Sequence, residues 1–168
     1  MRSKHLNERK GNPMSSMKSL TLGVALLGVV IVAGVNAVEA HKGATGVVMK
    51  RMMSMKSMGD GMKALAAMVT GKAPYDANKA KAIVTTIKEH AIGIPKQFPK
   101  GSIKGPSEAL PAIWKDWDGF KGHAESLAAL TDKLVGSADD GKAVALGMFA
   151  QMGKTCSGCH QDFRKKKN

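Results

Sequence analysis

Apolar residues along this chain recur at alternating spacings of three and four, the repeat of an amphipathic helix. Four segments carry the pattern. The first is predicted over about 46–70, with Val48, Met52, Met55, Gly59, Met62, Ala66 and Val69 on one face and Gly71 and Pro74 to end it. The second runs from Asp76, a residue suited to capping, to Ile94; its seam is Ala80, Val84, Ile87, Ala91 and Ile94, and Pro95 stops it. Residues 95–107 hold Pro95, Pro99, Gly101, Gly105 and Pro106 and read as a connecting loop. A third helix follows Ser107 or starts near Pro111, and aligns Leu110, Ile113, Trp117, Phe120, Ala124, Leu127, Thr131 and Leu134. Gly136 and Ser137 break it, and Ser137 with Asp140 reads as a capping-box-like start for the fourth. That last helix carries Ala145, Phe149, Met152, Cys156, Cys159 and Phe163 along one face. No strand run, hairpin signal or internal repeat competes. The pattern predicts an all-α fold, an antiparallel four-helix bundle with one longer connection.

Composition adds one segment to this picture. Arg2, Lys4, Arg9, Lys10 and Lys18 precede a stretch from Leu20 to Val35 that has no charged residue, and small residues follow at Ala37 and Ala40. This is the layout of a secretory signal peptide, predicted over residues 1–40 with cleavage after Ala40 and Ala37 as the second choice. The competing reading is an uncleaved anchor, but the Gly-rich apolar run is short against the roughly 20 residues a span needs. Met14 and Met17 are alternative starts.

The chemistry sits near the other end. Cys156-Ser157-Gly158-Cys159-His160 is a C-x-x-C-H signature, the attachment pattern of a covalently bound haem c. Two thiols must reach two vinyl groups of one porphyrin, and the next side chain must offer an imidazole nitrogen to the iron. On a helix Cys156 and His160 are four apart and share a face. A disulfide between residues three apart needs a strained turn and no histidine. A zinc site needs four ligands, and no second Cys/His pair stands at ligand spacing. A thioredoxin-like redox pair would follow a strand in a βαβ unit. Haem c is attached outside the cytoplasm, so the export signal and the motif support each other.

Removing residues 1–40 leaves 21 basic and 11 acidic residues. A basic surface steers acidic redox partners or rests on anionic lipid. Nucleic acid is a poor reading, because the cations are spread along every segment of an exported chain. The Arg164-Lys165-Lys166-Lys167 tail reads as a solvated helix end that suits the dipole.

The chain resembles the class II c-type cytochromes, which include cytochrome c′ and the cytochrome c-556 group. The likeness rests on residues 51–59 (RMMSMKSMG), 71–76 (GKAPYD), Ile94-Pro95, Phe98-Pro99, Ala109-Leu110-Pro111 with Ile113-Trp114, and 153–160 (GKTCSGCH) with Phe163-Arg164. It implies a left-handed four-helix bundle, periplasmic and often dimeric, with haem c bound near the C-terminal helix and one haem edge exposed. It implies Cys156 and Cys159 as the thioether residues and His160 as the proximal iron ligand. Matching the first helix puts Met55 on the distal side. In c-556-like chains that methionine ligates the iron of an electron carrier; in cytochrome c′ the matching residue blocks the site without binding, and the five-coordinate iron admits NO or CO slowly. Arg51 resembles the arginine near the haem propionates, and Arg164 a basic residue beside the proximal imidazole. A solvated flank and a plain surface charge are their bland alternatives, as core packing is for Met55. Phe98 and Trp114 wall the haem or pack the loop, and His41, His90 and His123 read as surface or helix-flank residues. Without a histidine beside Arg51 the distal side offers no acid–base pair for peroxidase chemistry, so no enzyme is expected.

Overall fold

The computed structural model describes residues 43–166. The expected signal peptide over 1–40, its cleavage site and His41 fall outside the described residues. The element order is α1 Gly46–Val69, α2 Ala77–Gly93, a four-residue α3 Ala112–Lys115, α4 Trp117–Ser137 and α5 Lys142–Phe163. Single 3-10 turns, Pro95–Gln97 and Ala138–Asp140, precede α3 and α5. Among the described residues no strand forms; one isolated antiparallel bridge joins Ala109 to Arg164.

The four long helices pack in a ring. α1 lies against α2 and α5, and α4 lies against the same two. This is the expected four-helix bundle, and the ring closes where the first and last helices meet. None of the described helices is long and apolar enough to cross a membrane.

Helix α2 forms as its sequence dictates. Asp76 accepts a hydrogen bond from the Lys79 backbone N–H at 2.9 Å, which satisfies one donor of the first turn. Ala80, Val84, Ile87 and Ala91 are buried, as is Ile94 just beyond. Opposite them stand Leu65, Leu134 and Met152, each fully buried and each worth about 1.5–3 kcal/mol of transfer free energy. Gly61 lets α1 come close to α2: a Cβ there would lie 3.3 Å from Ile83 and Ile87.

Three expectations need correction. The buried stripe of α1 is Val48, Arg51, Ser54, Met58, Leu65, Met68 and Val69, so most of the predicted seam sits to one side of it. Met52, Met55 and Met62 are half-buried because they face an open cleft rather than another helix. The third helix does not run on from Pro111. It stops at Lys115, and Asp116 restarts it by accepting from the Gly119 N–H at 3.0 Å. Nor does Ser137 cap the last helix. Its hydroxyl donates back to the Lys133 carbonyl, and Gly141 takes the N-cap position with φ of 100°, a conformation that favours glycine.

The long connection is ordered by specific bonds. The Trp114 indole N–H donates to the Phe98 carbonyl at 3.0 Å, and Leu110 N–H to the Phe163 carbonyl at 2.9 Å. Phe98 and Phe163 meet Phe120 edge-on at 4.9 and 5.4 Å between centroids. The connection and the end of α5 are thereby fixed to each other beside the α1–α5 seam.

Candidate functional site

Cys156, Cys159 and His160 lie in the unbroken α5, which ends three residues later at Phe163. Spacings of three and four put all three on one face, turned toward α1. Two clefts open along that face. One, about 280 Å³, is lined almost wholly by apolar groups: Met55, Met58 and Met62 of α1, Ile87 of α2, and Ala124 and Leu127 of α4, with all three motif residues. The other, about 750 Å³, runs toward the connecting loop and holds Arg51, Met52, Phe98, Phe120, Phe163 and Arg164. Met55, Cys159 and His160 border both. They mark the junction of one slot between α1 and α5.

Both cysteines are free and half-buried. Burial pushes the Cys156 thiol up, and burial with Cys156 and Asp162 nearby pushes Cys159 up to about 11. A thiol this basic is protonated and a poor nucleophile toward solvent reagents. The thiolate fraction at pH 8 falls about a hundredfold against an ordinary thiol, while the more basic thiolate regains about tenfold in intrinsic reactivity. Polypeptide made without haem attachment is therefore expected to alkylate at Cys159 about tenfold more slowly when folded than in urea. Iodoacetamide labelling read by mass spectrometry checks this, and equal rates would refute it.

His160 is the most open of the three motif residues. Partial burial and the nearby Arg164 charge lower its pKa, against a smaller opposing pull from Glu108. The shift favours the neutral imidazole, the form that ligates a metal. Arg164 itself is tied to Glu108, its Nε donating at 2.7 Å and its terminal nitrogen to the same oxygen. It keeps its place beside the cleft through that ion pair and through the bridge to Ala109.

Arg51 is no solvated flank. Only 4 % exposed, it donates to the Ser107 hydroxyl at 3.1 Å, the Gln97 carbonyl at 2.8 Å and the Ser102 hydroxyl at 2.7 Å. Its guanidinium carbon sits 4.1 Å from the Phe98 ring centroid, a cation–π contact. All its partners are neutral, and burial lowers its pKa. Its Nε, like Gln97 Oε1, is buried without a partner among the described residues, so one donor at the cleft wall stays unused. Of the two aromatic candidates, Phe98 lines the cleft and Trp114 braces the loop behind it.

Of the two expectations for His123, surface or helix flank, the flank position holds, and there it forms part of the cleft wall. Its Nε2 lies 3.5 Å from Asp162, its ring meets Phe163 edge-on, and a Cβ at Gly158 would come within 3.2 Å of it. The signal was present: His123 stands three residues after the buried Phe120 and four before the buried Leu127. His90 lies away from the cleft, bonded to Ser57 at 3.0 Å.

The donor set suits a flat, largely apolar, iron-bearing ring. Two thiols and an imidazole stand on one helix face, a thioether on the facing helix borders the same slot, and the walls are apolar. A porphyrin with two vinyl groups meets each of these groups with matching chemistry.

Comparison with known proteins agrees. A family model described as Cytochrome C' matches residues 46–164. A cytochrome c-556 from Agrobacterium tumefaciens (strain II Chrys) is 45% identical over 122 residues, 73% of this chain and 99% of the relative. The crystal structure of cytochrome c′ from Rubrivivax gelatinosus superposes with a TM-score of 0.65 at 30% identity, covering 71% of this chain and 94% of that one. A nitric oxide complex of a cytochrome c′ variant from Alcaligenes xylosoxidans superposes equally well, with a TM-score of 0.65 at 32% identity, over 72% and 94%. By sequence and by fold, this chain belongs to the cytochrome c′ family and is a haem c protein.

Proposed function

We propose that the protein is a periplasmic one-electron carrier, exported by residues 1–40 and holding a six-coordinate haem. Cys156 and Cys159 anchor the ring through thioethers, and His160 supplies the proximal nitrogen. Met55 supplies the sixth ligand from the facing helix. When bound, the haem provides the Fe(III)/Fe(II) couple. The chain's own contribution is to fix the ring between two helices, favour the neutral form of His160 and exclude water from the apolar slot. Thioether ligation raises the reduction potential, which suits a carrier.

The observation that carries this reading is the shared border: Met55 on α1 and His160 on α5 line both halves of one slot. The 45% identity to a protein named cytochrome c-556 supports it. A second reading, an open distal site that takes NO or CO, is favoured by the likeness to a protein solved as its nitric oxide complex.

The optical spectrum of the holoprotein decides between them. A low-spin spectrum with a far-red sulfur-to-iron band, converted to high spin by Met55→Ala, is the expected result. A high-spin spectrum in the parent protein, indifferent to Met55→Ala and shifted by NO, would replace the carrier with the gas-binding reading.

A further inference from the structure

The connecting loop and the end of α5 form a surface whose charge is unbalanced. Lys96, Lys100 and Lys104 project from the loop, and Lys165 and Lys166 follow α5; all five are exposed. None makes an ion pair with another described residue. The only acid in the loop, Glu108, is occupied by Arg164. Along the bundle some lysines find partners, Lys81 with Asp139, Lys88 with Asp132 and Lys56 with Asp60, while others such as Lys72, Lys79, Lys133 and Lys142 pair with no described residue. What distinguishes the loop and tail is that their lysines gather beside the slot. Three acids of α4 and α5 are engaged elsewhere, Asp116 in capping α4, Asp118 with Lys121 and Asp162 near His123.

The two halves of this surface are held together. Lys165 N–H donates to the Glu108 carbonyl at 2.8 Å, and the Ala109–Arg164 bridge continues the join. Lys100 and Lys104 border a cleft at the start of α1 that shares Pro106 with the large cleft of the haem slot. Positive charge with no ion-pair partner among the described residues therefore adjoins the edge of the slot through one residue. No exposed large apolar side chain lies on the loop or the tail.

We propose that this loop-and-tail surface is the docking face for an acidic redox protein. The proposal rests on the carrier reading above and adds where the partner sits. Clustered unpaired cations raise the encounter rate of an anionic partner at low salt, and a patch beside the cofactor orients that encounter for transfer. An anionic membrane is less favoured, since the surface presents no apolar wedge and a partner must approach the slot.

The test uses the holoprotein with an acidic flavodoxin as probe, in two charge-reversed variants of equal net charge. One carries Lys100, Lys104, Lys165 and Lys166→Glu; the other carries Lys72, Lys79, Lys133 and Lys142→Glu, exposed lysines on the far end of the bundle. The expected result is an electron-exchange rate at low ionic strength at least tenfold lower in the first variant, with the salt dependence lost, and less than threefold lower in the second. Equal losses would mean that net charge alone steers, and would overturn the docking face. Unchanged exchange in both, with only the first variant losing binding to vesicles of anionic phospholipid, would assign the surface to a membrane instead. Failure of every form to exchange electrons even with a small neutral quinol would sink the carrier reading. Flavodoxin binding measured by fluorescence polarisation then still decides the docking face, which stands only if the first variant alone loses it.

Discussion

Cys156→Ala/Cys159→Ala made in a host that attaches haem is expected to yield a polypeptide with the mass of its chain alone and no colour after acidic acetone extraction. Both proposed covalent links would be gone, and coordination by His160 and Met55 alone does not retain a porphyrin against acidic acetone. Stability falls with the colour. The slot between α1 and α5 would be left with apolar walls on both sides, and a ring burying several hundred Å² there contributes on the order of 5–10 kcal/mol. That is comparable with the whole stability of an ordinary domain. His160→Ala separates the two contributions, because the thioethers stay. It should keep covalent haem and the added mass, yet lose the proximal nitrogen and give an altered, high-spin spectrum. Colour that survives extraction in the double variant would refute the assignment of these thiols.

Arg51→Leu is expected to lower stability by about 2–4 kcal/mol, roughly 10 °C in Tm for a domain of this size. The estimate follows from what is stranded. The Ser107 and Ser102 hydroxyls and the Gln97 carbonyl lose their donor at 3.1, 2.7 and 2.8 Å, and the Phe98 ring loses its cation. Arg51→Lys should recover little, because one ammonium cannot reach three acceptors that a planar fork spans. Differential scanning calorimetry of the holoprotein checks both variants. A change under about 1 kcal/mol in Arg51→Leu would mean that the loop is held without it.

The ease with which each element could be read from sequence follows from what it packs against. Helix α2 is covered by protein on its buried side, so its five seam positions are apolar and its limits are marked by Asp76 and Pro95. Helix α1 serves two surroundings at once. Its buried stripe contains Arg51 and Ser54, whose partners Ser102, Ser107 and Gln97 belong to a loop that no periodicity describes. Its most regular methionines line the slot instead, where their apolar character meets a cleft and not a neighbouring helix. The C-x-x-C-H motif needed no fold to be recognised, because covalent chemistry fixes its spacing. His123 shares the spacing of the buried Phe120 and Leu127, which brings it toward the slot, but its place in the cleft wall shows only once Gly158 and Asp162 are seen beside it.

The ring order has a further consequence. Met55 and His160 come from the first and last helices, so any tie that spans their slot closes a chain loop of about a hundred residues. In the chain-entropy picture a cross-link of that length removes about 4–5 kcal/mol of freedom from the unfolded chain. A coordinate bond between the two helices would thus act as a detachable staple, tightening the whole bundle when made and loosening it when exchanged for an outside ligand.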